Sequence, residues 1–222
     1  MPTPSPTHHE HDHGHRVEAA GQEFWDSRYR EGERIWSGRP NSVLVREAAG
    51  LAPGRALDLG CGEGADAVWL AGRGWTVTGT DISPVALERA AGHAAEAGLA
   101  ERIAFERHDL GESFPDGEFD LVAACFLHSP GEMPRERILR TAAAAVAPGG
   151  VLLVAGHGGP APGAENPHPD LYFPTPEEVL AGLELPEGGW EVLVCAEHER
   201  VGAEADRPGH GYDNTLKVRR LP

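Results

Sequence analysis

Short apolar runs alternate with longer amphipathic stretches along most of the chain. The runs are rich in Val, Leu and Ala and predict buried strands, whereas the stretches between them have the spacing of helices. Such an alternation predicts a mostly parallel sheet with helices on both faces. The expected strands are residues 56–59, 75–81, 102–110, 118–130 including the exit, 151–158, 190–201 and 214–221.

Helix boundaries are marked by residues with known end preferences. Ser83 is expected to cap a helix whose first position is Pro84, and Gly98 is expected to stop it. Asn41 is a candidate cap for an earlier helix. Residues 131–150 are expected to form a helix that ends in Pro-Gly-Gly. These signals place helices between the predicted strands.

The segment RALDLGCGEG, residues 55–64, joins the first strand to the next helix. Its glycines allow a sharp turn and a close approach of a ligand, and the helix start offers free N–H groups. Asp58 precedes the first glycine by two residues, and a carboxylate there suits an amino group better than a phosphate. Asp81 ends the second strand, where a carboxylate can accept from both hydroxyls of a ribose.

An amino acid head at one end and a ribosyl adenine at the other describe S-adenosylmethionine. LDLGCGEG followed by TGTDIS resembles the class I S-adenosylmethionine-dependent methyltransferases, from about residue 24 to the C-terminus. A dinucleotide-binding fold is disfavoured because the loop is GCGEG and not GxGxxG. The resemblance implies a Rossmann-like seven-stranded α/β sheet of order 3-2-1-4-5-7-6, with strand seven antiparallel and helices on both faces.

The resemblance also implies a cofactor site along the first four strand ends. The residues expected to bind S-adenosylmethionine are Asp58, Gly60, Cys61, Gly62 and Gly64 for the methionine part, Asp81 for the ribose, Ile82, Asp109 and Leu110 for the adenine, and Cys125 for the amino acid end. Cys125 is expected to be a small packed residue, not a nucleophile.

His128 follows the fourth strand, where the resemblance places the reacting centre. It is the candidate general base, by position and by its titration range. A loop histidine that orients the substrate is the alternative, because positioning can supply much of the acceleration in methyl transfer. Tyr29 is the second catalytic candidate.

Residues 24–29, FWDSRY, and Trp36 resemble the thiopurine and tellurite-resistance branch, whose N-terminal segment closes the site. Residues 21–50 are therefore expected to form a helical cap, with Trp36 contacting the substrate. Phe24 and Trp25 are expected to pack the first helix on the sheet. The branch suggests an acceptor atom of S, Se or Te, and an O or N atom of a metabolite is the alternative.

Two loops are long and rich in glycine and proline, residues 156–174 and 205–213. Loops of such length are often lids or binding loops. His157 in the first loop and Tyr212 in the second are expected to contact the substrate. A metal held by His128, His157, His168, His198 and His210 is weighed and disfavoured, because no pair has the spacing of a known zinc motif.

The chain has 222 residues, enough for one domain, and a formal net charge of −16. Such a charge disfavours nucleic acid as a partner, and no run is long enough to span a membrane. A small-molecule substrate, a cytoplasmic location and a monomer or homodimer are expected. The three cysteines form no CxxC pair, so neither a disulfide framework nor a zinc site is indicated.

Residues 1–20 are rich in proline and histidine and are expected to form a disordered tail before a methyltransferase domain at 21–222. The alternating histidines could bind Ni, Cu or Zn loosely. Two alternatives to an enzyme therefore stay open: a non-catalytic S-adenosylmethionine-binding protein, and a metal-handling protein that uses its tail.

Overall fold

The computed structural model describes residues 21–131, 133–159, 172–200 and 211–222. The expected disordered tail, most of the two long loops, and His168 and His210 lie outside these residues. Within the described ranges, no helix has the length and apolar character needed to cross a membrane.

Seven strands form one sheet in the order β3-β2-β1-β4-β5-β7-β6. The strands from β3 to β5 run parallel, and β7 lies antiparallel between β5 and β6. The predicted order and the antiparallel seventh strand are confirmed. The strands are Arg55–Leu59 (β1), Thr76–Asp81 (β2), Ile103–Arg107 (β3), Phe119–Cys125 (β4), Val146–His157 (β5), Trp190–Glu199 (β6) and Tyr212–Arg220 (β7).

Helices cover both faces of the sheet. They are Gln22–Arg30 (α1), Ser42–Ala48 (α2), Ala65–Gly72 (α3), Pro84–Glu96 (α4), Arg135–Ala144 (α5) and Pro176–Gly182 (α6), with a 3₁₀ turn at Ala100–Arg102. One core contains buried residues of α2, α3 and α4 with Ala56 of β1. The other contains buried residues of α5 with Leu57 and Leu59. Alternate residues of one strand therefore enter opposite cores, as expected for a sheet buried on both sides.

The predicted start of α4 is confirmed, because the Oγ of Ser83 accepts from the backbone N–H of Ala86 at 3.2 Å. The predicted position of Asn41 at the N-cap of α2 is confirmed, but its side chain makes no capping hydrogen bond. The side-chain amide donates instead to the Oδ2 of Asp66 at 2.7 Å. The side chain thus bonds to a carboxylate that is distant in the sequence.

Several predicted boundaries differ from the structure. The third strand ends at Arg107, before Asp109 accepts from the N–H of Gly111 in a turn. The fourth strand ends at Cys125, because Phe126 has a positive φ of 54°. The helix predicted over 131–150 spans only Arg135–Ala144. Pro134 disfavours helical backbone at the residue before it, and the carbonyl of Ala145 accepts from Phe119 of β4, which draws the chain into the sheet.

Gly64 lies where α3 begins against α4. Its φ is 83°, and a Cβ added to it would come within 2.8 Å of the Cβ of Ala90. We expect Gly64→Ala to lower the free energy of unfolding by about 1–3 kcal/mol through backbone strain and overpacking. Gly92→Ala in α4, where an added Cβ meets nothing within 4 Å, should raise it by about 0.5–1 kcal/mol. Urea denaturation of both variants measures the difference. Equal effects would contradict this account of Gly64.

Candidate active site

A cavity of about 490 Å³ opens at the carboxyl ends of the parallel strands. Ligands of open α/β sheets bind at this edge. Most residues expected from the sequence to bind a ligand lie on its wall: Tyr29, Trp36, Asp58, Gly60, Cys61, Gly62, Asp81, Ile82, Asp109, Leu110, Cys125, His128 and His157. Gly64 and Tyr212 do not line the cavity. Gly64 packs against α4, and Tyr212 is partly buried at the start of β7.

The glycines after β1 let other parts of the wall approach the backbone closely. The φ angles of Gly60 and Gly62 are 70° and 53°. A Cβ added to Gly60 would lie 2.7 Å from the Cδ1 of Leu127, and one added to Gly62 would lie 3.0 Å from the hydroxyl of Tyr29. Any side chain at these positions would strain the backbone and displace a wall residue.

Asp81 ties the glycine loop to the start of the next helix. Its Oδ2 accepts from the backbone N–H of Gly62 at 3.0 Å, and its Oδ1 accepts from the N–H of Ser83 at 2.9 Å. Burial raises the pKa of Asp81, and the backbone N–H groups counteract that rise. Each carboxylate oxygen has two lone pairs, so both can still accept from a ligand hydroxyl.

Asp58 presents a buried carboxylate to the same cavity. The residue is 2% exposed, and its Oδ2 has no hydrogen-bond partner among the described residues. Burial raises its pKa well above the ordinary value, and the nearby Asp66 and Asp81 raise it further. A buried oxygen without a donor is costly. The position fits the cationic amino group of an amino acid.

The two cysteines on the wall are neutral thiols. Burial raises the pKa values of Cys61 and Cys125, and neighbouring carboxylates add to the rise. The thiol of Cys125 hydrogen-bonds to the carboxylate of Asp66. Since nucleophilic cysteines need a lowered pKa, this environment supports small packed residues.

Carboxylates on the sheet side hold the N-terminal segment over the cavity. The side chain of Glu63, within the glycine loop, accepts from the backbone N–H of Ile35 at 3.2 Å and of Trp36 at 3.1 Å. Arg89 of α4 pairs with the same carboxylate at 2.9 Å. Glu63 thus fastens the loop containing Trp36 directly to the glycine loop.

Two further contacts fasten the ends of this segment. The Oδ1 of Asp26 accepts from the hydroxyl of Ser83 at 2.5 Å. Asp66 accepts from both the backbone and the side chain of Asn41, each at 2.7 Å. Sequence reasoning missed Asp26, Glu63 and Asp66. Glu63 and Asp66 had a signal in the sequence, because they lie next to the glycines of a binding loop. That position alone does not tell whether the side chain points into the cavity or away from it.

Aromatic residues of the N-terminal segment form the roof. The Nε1 of Trp36 donates to the hydroxyl of Tyr29 at 3.1 Å. Burial raises the pKa of Tyr29, and the charge of Asp81 raises it further. The phenol stays protonated at neutral pH, so Tyr29 can donate a hydrogen bond but cannot act there as a base. Trp25, expected only to pack, lies on the cavity wall, whereas Phe24 is exposed.

Another part of the cavity wall contains a polar cluster that joins the ends of β4, β5 and β7. The rings of His128 and His157 stack with centroids 5.3 Å apart. Arg200 donates from its Nε to the Oδ1 of Asp213 at 2.7 Å and contacts the Nδ1 of His157 through Nη2 at 2.9 Å. Because arginine only donates, the Nδ1 of His157 is the acceptor in this contact. Sequence reasoning found the histidines but missed Arg200 and Asp213.

The residues predicted to contact the adenine follow β2 and β3 in the chain. Ile82, Asp109 and Leu110 line the cavity beyond β2 and β3. Asp109 is exposed and uses one oxygen for the N–H of Gly111. Across the described part of the chain, no group of three or more His, Cys, Asp or Glu side chains is arranged to hold a metal ion.

Comparison with known proteins agrees with this geometry. Residues 56–150 match the family model of a methyltransferase domain. A 2-heptyl-1-hydroxyquinolin-4(1H)-one methyltransferase of Mycobacteroides abscessus is 34% identical over 161 residues, which cover 67% of this chain and 70% of the relative. A ubiquinone biosynthesis O-methyltransferase of Pseudomonas aeruginosa is 31% identical, with 87% and 80% covered. The chain belongs to the class I S-adenosylmethionine-dependent methyltransferases.

Some other curated relatives are longer, and the chain spans 31% to 42% of their length. Among solved structures, one described as "Conversion of a Disulfide Bond into a Thioacetal Group during Echinomycin Biosynthesis" is 28% identical with a TM-score of 0.68, covering 90% of this chain and 91% of that chain. TehB of Haemophilus influenzae, with 17% identity, a TM-score of 0.64 and coverage of 90% and 67%, shares the fold. That likeness does not place the chain in the tellurite-resistance branch.

The raised pKa of Asp58 links stability to pH. The folded protein without ligand binds a proton at Asp58 more tightly than the unfolded chain, so its stability falls as pH rises from about 3.9, the ordinary Asp pKa, through the raised pKa. Asp66 and Asp81 act in the same direction. Each pH unit within this window costs at most about 1.4 kcal/mol per group. We expect Asp58→Asn to increase stability at pH 7 and to flatten its pH dependence.

Urea denaturation between pH 5 and 8 measures this effect. Asp116→Asn, at an exposed position away from the cavity, is the matched control and should leave the pH dependence unchanged. An Asp58→Asn protein that is less stable than the wild type at pH 7 would contradict the assignment of Asp58 as an unrelieved buried carboxylate.

Proposed function

We propose that this methyltransferase transfers a methyl group to a hydroxyl oxygen of a small, largely apolar acceptor. The observation that carries the proposal is the shared cavity, whose wall contains both the buried carboxylates with the glycine loop and a stacked histidine pair. Leu127, next to His128, packs against Gly60 of the loop. The candidate base is thus adjacent to the part of the site proposed for the methionine.

The carboxylates and the glycine loop on the cavity wall fit S-adenosylmethionine by their chemistry. Asp58 is placed to bind a cationic amino group, because its Oδ2 has no donor within the ranges that the structure describes. Asp81 is placed to accept from the ribose hydroxyls, and Ile82, Asp109 and Leu110 are placed for the adenine. Gly60, Cys61, Gly62 and Cys125 leave room for the methionine. Gly64 is proposed to act through helix packing. When bound, S-adenosylmethionine supplies an electrophilic methyl group for direct displacement.

The part of the cavity around His128 and His157 is proposed to bind the acceptor. The cavity wall also includes the apolar residues Trp25, Trp36, Met133 and Ile138. Such a mixture fits an apolar ring with one reacting hydroxyl. His128 is assigned as the base that takes the hydroxyl proton, and His157 as a group that orients the acceptor. Tyr29, which stays protonated, is assigned a positioning role through Trp36 and the glycine loop. Tyr212 precedes Asp213 in the chain but does not line the cavity, so it is assigned no contact with the acceptor.

The relatives support an oxygen acceptor. One is named for a hydroxyquinolone and another is named a ubiquinone biosynthesis O-methyltransferase. A sulfur acceptor is the second candidate, because the 28% identical structure concerns the conversion of a disulfide into a thioacetal. The two differ in their need for a base, since a thiol with a pKa near 8.5 ionises by itself far more readily than a phenol near 10.

The cofactor assignment is tested by calorimetric titration with S-adenosylmethionine and S-adenosylhomocysteine. We expect micromolar binding and a loss of about 10- to 100-fold in Asp81→Asn, since a hydrogen bond to a charged group contributes about 1.5–3 kcal/mol. A protein lacking residues 1–20 should bind equally well. If it does not bind, the alternative of a function carried by the histidine tail gains support, and the proposed site is wrong.

The role of His128 is tested with phenol and thiol acceptors and mass spectrometry of the products. In His128→Gln, kcat towards a phenol should fall by about 10²–10⁴, and the remaining rate should follow the phenolate fraction as pH rises. Methylation of a thiol should be nearly unaffected above its own pKa. The matched control is His198→Gln, at a β6 position off the cavity wall. An unchanged pH profile with phenols would leave His128 an orienting role only.

A further inference from the structure

Arg200 lies on the cavity wall beside His157 and Asp213. It directly follows β6, and its backbone N–H donates to the carbonyl of Gly211 at 2.9 Å, which continues the pairing with β7. Its side chain is 6% exposed and lines the cavity. A buried guanidinium in a binding cavity requires a structural or a ligand-binding explanation.

The observed contacts use only some of the N–H groups of the Arg200 guanidinium. Its Nε and Nη2 both donate to Asp213, the latter at 2.6 Å, and Nη2 also contacts the Nδ1 of His157. The ring of Phe126 lies beneath its Cζ at 5.6 Å. Within the described ranges, no acceptor is bonded to Nη1, which carries two of the five N–H groups of arginine.

The contacts also fix the direction of the guanidinium. Asp213 is 4% exposed and lies in β7, where it pairs with His157 of β5. The ring of Phe126 contacts that of His157 in a tilted arrangement with centroids 4.7 Å apart, and Phe126 has a positive φ of 54°. Three strand ends therefore hold one side chain, which makes Arg200 a preorganised donor.

We propose that the Nη1 of Arg200 binds a second oxygen of the acceptor, a carbonyl oxygen on the ring that carries the reacting hydroxyl. Because Asp213 offsets the charge of Arg200, the subsite favours a polar uncharged oxygen over a carboxylate. A planar hydroxy compound with a ring carbonyl substituent matches both the apolar walls and this donor. The inference rests on the proposed function for the reacting hydroxyl, but the binding contact itself does not require turnover.

Matched pairs of acetylphenols and ethylphenols test the contact, with the substituent ortho, meta or para to the hydroxyl. Members of a pair are similar in size but differ in one carbonyl oxygen. Binding is measured by titration calorimetry on protein saturated with S-adenosylhomocysteine. For at least one ring position, the wild type should bind the acetyl compound about 10-fold or more tightly than the ethyl compound, as for a hydrogen bond to a charged group.

The variant Arg200→Met with Asp213→Asn removes the donor without leaving a buried charge unpaired. Its preference for the acetyl compound should disappear, while its affinity for S-adenosylhomocysteine and its melting temperature stay near the wild-type values. Arg46→Met is the matched control, because Arg46 bonds to Thr215 of β7 but does not line the cavity. It should keep the preference. If the double variant does not fold, Arg200→Lys, which keeps the charge, should reduce the preference by at least threefold.

The outcomes separate this inference from the proposed function. An acetyl preference that persists in a folded double variant overturns the inference, as does a wild type that binds none of the phenols. Methylation of both phenols at equal efficiency, with no preference in binding, overturns the inference and leaves O-methylation intact. Arg200-dependent binding without any methyl ether product supports the inference and contradicts the proposed function.

Discussion

Three buried carboxylates at one edge of the sheet constrain the rest of the molecule. Asp58, Asp66 and Asp81 are each at least 92% buried, and burial raises the pKa of each. Like charges this close in a poorly solvating interior repel strongly. Backbone N–H groups and Asn41 partly offset this cost, but the Oδ2 of Asp58 has no hydrogen-bond partner among the described residues. The proposed cationic ligand would therefore gain affinity from the same atoms that cost stability in its absence.

The same carboxylates organise the N-terminal segment. Asp66 holds the start of α2 through Asn41, Glu63 holds the backbone at Trp36, and Asp26 reaches the hydroxyl of Ser83 at the start of α4. These contacts couple the roof of the cavity to the glycine loop and to the turn that carries Asp81. The roof and the floor therefore form one hydrogen-bonded unit, and a change in either alters the shape available to both substrates.

The strand order followed from the family resemblance that the glycine motif and TGTDIS carry, and the structure confirms it. The candidate cofactor residues could be proposed because their signals are local. The glycines, Asp58 and Asp81 lie within one strand–turn–helix–strand unit, whose geometry follows from its own residues. The structure also corrected local expectations: Asn41 binds a distant carboxylate, and Pro134 delays the start of α5. Arg200 and Asp213 could not be predicted, since their partner His157 is more than 40 residues away from each.

The insertion of β7 between β5 and β6 has a consequence for how such enzymes diverge. Because β7 runs antiparallel to β5 and β6, Arg200 after β6 and Asp213 in β7 meet at the same edge as the cavity. These two residues belong to the last part of the chain, whereas the glycine loop and Asp81 belong to its first half. Substitutions at Arg200 or Asp213 can therefore change this part of the cavity wall while the glycine loop keeps its sequence.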